Sequence, residues 1–125
     1  MKIITAQEHQ AADKSGALEL ANDVDPRTLQ LSDITRIDLQ FPAFTDGRAY
    51  SQAFLLRRRL GYTGELRATG DVLIDQLVQM QRTGFDVAVL AEGVDARAAQ
   101  RQLDRYAGFY QGSAVDTQPL FAKVA

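Results

Sequence analysis

Arg36-Ile37-Asp38-Leu39-Gln40-Phe41-Pro42, followed by Asp46-Gly47-Arg48-Ala49-Tyr50-Ser51, decides how this chain is read. Ile37, Leu39 and Phe41 alternate with Asp38 and Gln40, the period of two that marks a strand with one apolar face. Pro42 cannot donate to a ladder, so the strand ends there. Asp46-Gly47-Arg48 then opens an element whose apolar residues recur at helical spacing: Ala49, Ala53, Leu56 and Leu60, with Tyr50 and Phe54. Arg57, Arg58 and Arg59 fall in its last turn, where cations suit the negative end of the helix dipole. That reads as a solvated helix end, with an acidic partner's docking patch as the other reading. Gly61 stops the helix.

The same strand-then-helix grammar repeats outward. Downstream, Glu65-Leu66-Arg67-Ala68 is a second strand and Thr69-Gly70-Asp71 turns the chain. Leu73, Leu77 and Met80, with Ile74 and Val78 beside them, mark a helix that Gly84 ends. Asp86 to Leu90 is a third strand. Asp95 is a natural N-cap for a helix carrying Ala99, Leu103, Tyr106 and Tyr110 on one face. Upstream the signal is weaker. Lys2–Thr5 and Leu18–Ala21 read as short strands, residues 6–16 as a loop or short helix, and Asp25-Pro26 as the start of a brief helix. The tail, residues 112–125, reads as irregular.

Strands and helices alternating through short loops predict one α/β domain over residues 1–125, with successive βα units on a small, mainly parallel sheet. Two architectures fit: a partial barrel, about half of an eight-fold one, or an open sheet. Strands buried on both faces are apolar throughout, whereas here Asp38, Gln40, Glu65 and Arg67 line one face. That face is open to solvent, covered by the N-terminal segment or tail, or buried in a partner. Open sheets have edges that need cover, so a homo-oligomer is expected.

Composition removes whole classes of chemistry. The 125 residues include no cysteine, which excludes disulfides, thiolate nucleophiles and cysteine-held metal clusters. A net charge of −2 argues against a nucleic-acid partner. No apolar run can span a bilayer, and Met1-Lys2-Ile3-Ile4-Thr5 leads straight into polar sequence, so no membrane partner and a cytoplasmic location are expected. The single histidine, His9, lies in a polar stretch and reads as a surface residue. Gly61, Gly64 and Gly70 are spaced as turns, not as a dinucleotide fingerprint. Asp71 and Asp75, four apart on one helical face, read as a cap and a solvated face before they read as a magnesium site. No metal or cofactor is therefore expected.

Parallel α/β folds bind ligands at the carboxyl ends of their strands. Three loops qualify: Pro42 to Arg48, Thr69 to Asp71 and Ala91 to Asp95. In the first, Gly47 admits close backbone approach and Arg48 can grip an oxyanion through two parallel hydrogen bonds. Ser51 lies one turn on, and Arg67 sits near the end of the next strand. Phe44, Asp46, Gly47, Arg48, Ser51, Arg67, Gly70 and Asp71 form the candidate anion site. Each also has a structural reading: Asp46 as a cap, Arg48 paired with Asp46 or Asp71, Arg67 paired with Asp38 or Glu65.

Phe41-Pro42-Ala43-Phe44-Thr45-Asp46-Gly47-Arg48-Ala49-Tyr50-Ser51, then Leu55-Leu56-Arg57, Gly61-Tyr62-Thr63-Gly64-Glu65-Leu66-Arg67-Ala68-Thr69-Gly70-Asp71-Val72-Leu73, Asp75-Gln76-Leu77, Met80 and Gly84-Phe85-Asp86 resemble the bacterial domain-of-unknown-function family 934. The match is dense from Phe41 to Asp86 and looser to residue 111, and Asn22-Asp23-Val24-Asp25-Pro26 also fits it. The resemblance implies a setting rather than a mechanism. Family members are typically encoded beside the sulfite reductase haemoprotein and other enzymes of sulfate assimilation, and some carry the label oxidoreductase. It implies no catalytic residue. The expectation is an accessory protein of assimilatory sulfite reduction, acting by binding the haemoprotein or an oxyanion. Two alternatives are a small enzyme with Asp46 or Asp71 as acid–base group, and a structural homodimer module.

Overall fold

The computed structural model describes residues 1–43 and 45–106. Five strands form one sheet, all parallel: β1 (Lys2–Ile4), β2 (Ala17–Leu20), β3 (Arg36–Phe41), β4 (Glu65–Gly70) and β5 (Val87–Val89), in the spatial order β1-β5-β4-β3-β2. The architecture is an open α/β sheet, which decides between the two expected arrangements. Helices α2 (Arg48–Phe54), α3 (Leu77–Thr83) and α4 (Ala96–Tyr106) follow β3, β4 and β5. Helix α1 (Ala6–Ala11) joins β1 to β2. Tyr110 and the tail lie outside the described residues.

The period-two pattern of β3 and β4 places their apolar residues on one face. Ile37, Leu39 and Phe41 of β3, with Leu66 and Ala68 of β4, are buried against Ala49, Ala53 and Leu56 after β3, Leu77 and Met80 of α3, and Ala99 and Leu103 of α4. Burying one such large side chain stabilises the fold by about 1.5–3 kcal/mol. The Phe41 ring meets Tyr50 edge-on at 5.0 Å and lies 5.8 Å from Phe85, which locks α2 and the start of β5 onto β3.

The chain steps from β2 to β5 in one direction with α2 and α3 on one face. It returns from β1 to β2 across the whole sheet with α1 on the other face. Reversing both direction and face preserves the hand of the crossover, as parallel connections require. Helix α1 is thereby forced onto the charged side of the sheet. Among the described residues, it is the N-terminal segment that covers that side. Thr5 and Glu8 start α1 with a reciprocal capping box, each side chain accepting the other's backbone N–H at 3.1 Å.

Two expectations about the helix after β3 need correction. Leu60 and Phe54 are exposed rather than core. The helix widens into a π-helical stretch at Leu55–Arg59, closed by the Leu60 N–H donating to the Leu55 carbonyl at 2.9 Å. The extra residue in that turn rotates Leu60 off the apolar stripe, while Phe54, before it, shares the outer side of α2 with exposed Ser51. Arg57 is also not a solvated helix end. Its side chain is 10% exposed and its guanidinium donates to the carbonyls of Gly84 (3.0 Å), Tyr62 (2.7 Å) and Gly64 (2.8 Å) and to the Asp86 carboxylate (2.6 Å).

Candidate functional site

The parallel sheet brings the three candidate loops to one edge of the molecule, after β3, β4 and β5. The loop after β3 is held from two sides. Asp46 accepts from the Arg48 backbone N–H (3.0 Å) and from the Arg48 guanidinium in a two-pronged pair, the shorter contact 2.7 Å. Its second oxygen also accepts from Asn22 Nδ2 at 2.8 Å, which ties the loop after β2 to the loop after β3. Gln52 tightens the same junction by donating from Nε2 to the carbonyls of Ala21 and Val24, both at 2.8 Å. Arg48 thus spends its fork on Asp46. The Arg48 side-chain hydrogen bonds hold the Asp46 carboxyl far below its ordinary value, which makes it a poor proton acceptor.

That depression predicts an acid-side stability effect. A carboxyl whose folded pKa lies below the ordinary 3.8 adds stability above that value and loses it as pH falls towards the folded pKa. Thermal melts of Asp46→Asn against the parent, taken from neutral pH downward, should show a shallower acid limb. Parallel limbs would show that the pair adds nothing to folding.

The structure divides the remaining candidates. Gly47 has φ −91° and, among the described residues, open space where a Cβ would stand, so none of them demands glycine there. Ser51 lines a different feature, a groove along α2. Gly70 has φ +94° and packs against the Phe41 carbonyl. Asp71 donates its backbone N–H to that carbonyl at 2.8 Å. It sits in the turn after β4, and Asp75 in a separate 3-10 turn, Ile74–Gln76, so the two do not share a helical face. Among the described residues no three His, Asp or Glu side chains gather to hold a metal. Phe44 lies outside the described residues.

Arg67 lies on the opposite face of the sheet from α2. The register pairs Asp38 with Arg67 and Arg36 with Glu65, so their side chains share the face under α1. There Arg36 pairs with Asp38 at 3.0 Å, Arg67 pairs with Glu65 at 3.3 Å, and Arg67 Nη1 meets His9 Nδ1 at 3.0 Å. His9 Nε2 faces Asp38 at 3.6 Å. His9 is therefore no surface residue. Its signal was the Thr5-to-Glu8 capping box, which starts a helix and sets Ala6, His9 and Gln10 at one-turn spacing on one face. Burial, with Arg67 and Arg36 nearby, pushes the imidazole below its ordinary value, against the pull of Asp38 and Glu19. These α1 residues and the loops after β4 and β5 enclose a pocket of about 400 Å³, lined by His9, Gln10, Thr69, Gly70, Ala91 and Glu92 among others.

A larger hollow lies elsewhere. A groove of about 950 Å³ runs between Arg27, Tyr50, Ser51, Phe54, Leu55, Arg59, Leu60 and Thr83. Phe54 is 44% exposed and Leu60 36% exposed in its wall, and Arg58 lies 5.5 Å over the Phe54 ring. Neither Arg58 nor Arg59 makes an ion pair among the described residues.

Residues 17–121 match the model of the family described as bacterial protein of unknown function (DUF934). The chain belongs to this family. The match takes in β2 to β5, the loops that carry the candidate residues, and the groove. No curated protein and no solved structure matches the chain. No helix among the described residues is long and apolar enough to cross a membrane.

Proposed function

We propose that this DUF934 protein is an accessory protein of assimilatory sulfite reduction that acts by docking on a partner, and that the α2 groove is its docking surface. The exposed pair Phe54 and Leu60, flanked by the unpaired cations Arg58 and Arg59, carries the reading. Two large apolar side chains displayed beside two arginines have the composition of an interface centre. Their charge commits the groove to an acidic partner surface with an apolar anchor. The sulfur setting rests on the family resemblance, and the haemoprotein of sulfite reductase is the partner it names. The strand-end residues favour binding over acid–base catalysis, because Asp46 and Arg48 neutralise each other.

Titration of the purified haemoprotein with the purified chain tests the docking. Saturable binding is expected, weakened roughly ten- to a hundred-fold by Phe54→Ser and made less sensitive to salt by Arg59→Glu. Absence of binding at tens of micromolar, or equal binding by both variants, removes the groove from this role. Light scattering of the chain alone detects the competing occupant, a second copy. Growth of a deletion strain tests the setting separately: failure on sulfate and sulfite with rescue by sulfide is expected, and normal growth on all three counts against it.

A further inference from the structure

The cluster beneath α1 has a feature that docking does not use. Both ring nitrogens of His9 are turned to the sheet, Nδ1 to Arg67 at 3.0 Å and Nε2 towards Asp38 at 3.6 Å. Neither is left for a ligand in the strand-end pocket that His9 helps to line, so His9 holds α1 rather than acting on a substrate. Because Arg67 can only donate, His9 Nδ1 must accept, and the docked ring is neutral with its proton on Nε2. We propose that α1 is a pH-operated latch: protonation of His9 releases α1 from the charged face of the sheet and opens the strand-end pocket.

The structure makes the release local. Helix α1 has six residues, none of them fully buried, and its apolar anchorage is Ala6 against the small cluster of Ile4, Val87 and Val89. Elements with so little buried contact open at a fraction of the global cost. The face left behind is already compensated, because Arg36 keeps Asp38 and Arg67 keeps Glu65 when α1 departs. Release then wets charges that stay paired, and its apolar cost is confined to Ile4, Val87 and Val89, the small patch under Ala6.

The charges around the ring set the sign. Protonated Nδ1 can no longer accept from Arg67, and the new cation stands beside both Arg67 and Arg36. Asp38 and Glu19 oppose this, as attractive carboxylates on β3 and β2. Glu65 is engaged with Arg67, Lys2 is exposed on β1, and Glu92 is exposed in the loop after β5. Asp13, beyond α1, hydrogen-bonds to the Ser15 backbone, and its own carbonyl accepts from Arg36 at 3.2 Å. Docking disfavours the charged ring through burial first. By linkage, charging the ring disfavours docking by the same factor.

Hydrogen exchange on the whole chain, corrected for intrinsic rates, tests the latch between about pH 7.5 and about pH 5. The amides of His9 and Ala12, bonded inside α1 at 3.0 and 3.3 Å, should lose at least about threefold of their protection while β3 and β4 amides hold theirs. His9→Gln retains an acceptor for Arg67 without titrating, so its α1 amides should remain protected across the range. Unchanged protection in the parent overturns the latch, as does an equal loss in His9→Gln or a parallel loss throughout the sheet. A His9 ring titrating by NMR at or above its ordinary value of 6.5 overturns it as well.

Discussion

Arg57→Met should lower the stability of the fold by about 3–5 kcal/mol, because three part-buried carbonyls lose a charged donor at roughly 1–3 kcal/mol each. The guanidinium is a four-way staple. It joins the π-helical end of α2 to the Tyr62–Gly64 turn, to the end of α3 at Gly84, and to Asp86 at the entry of β5. Methionine matches the volume of the stem but supplies no donor, so three carbonyls lose a partner at once. Asp86 retains the Leu66 N–H at 2.9 Å and is half exposed, so water softens only that part of the loss. The melting temperature should fall by roughly 10–20 °C, on the usual scaling for a domain of this size. Arg57→Lys should recover little, because an ammonium cannot span the planar fork. A loss below about 1 kcal/mol in urea titrations would show that water replaces the staple.

Gly70→Ala should cost roughly 2–4 kcal/mol, combining backbone strain with a steric clash. Gly70 ends β4 at φ +94°, where a side chain is strained, and a Cβ there would run into the Phe41 carbonyl. That carbonyl cannot retreat freely, because it accepts the Asp71 N–H and follows a fully buried ring. Gly47→Ala is the internal control. Its backbone is ordinary and its surroundings are open, so its urea midpoint should stay within about 0.5 kcal/mol of the parent. Equal midpoints for the two variants would mean that the turn after β4 relaxes without cost.

Much of this fold was legible because its central units have strong periods. Ile37, Leu39 and Phe41 alternate without interruption, and Leu77 and Met80 sit one turn apart, so β3, β4, α3 and β5 followed from spacing. The failures have identifiable causes. Leu60 leaves the apolar stripe because a π-helical turn changes the period within one element, and nothing in Leu55-Leu56-Arg57-Arg58-Arg59 announces the extra residue. The role of Arg57 is invisible in sequence because its partners are backbone carbonyls as far as Gly84, which have no sequence signature. His9 is hidden because its stretch is polar, and only the capping box of Thr5 and Glu8 points to the helix face that carries it.

The sequence by itself determined the class of the fold, the parallel run from β2 to β5, the two-faced character of the sheet and the three loops at its carboxyl edge. Those follow from local periodicity and from the short-range rules of parallel connection. Only the tertiary structure decided which face α1 covers, which charge pairs with which, and where the open surface lies. Arg48 and Arg67 have the same chemistry and look equally available in the chain. The pleat sends Arg67 to the underside with His9 and Glu65, while the turn before α2 folds Arg48 onto Asp46. Pairing across a sheet depends on register and on the route of the chain, and both are set by the packing of the whole.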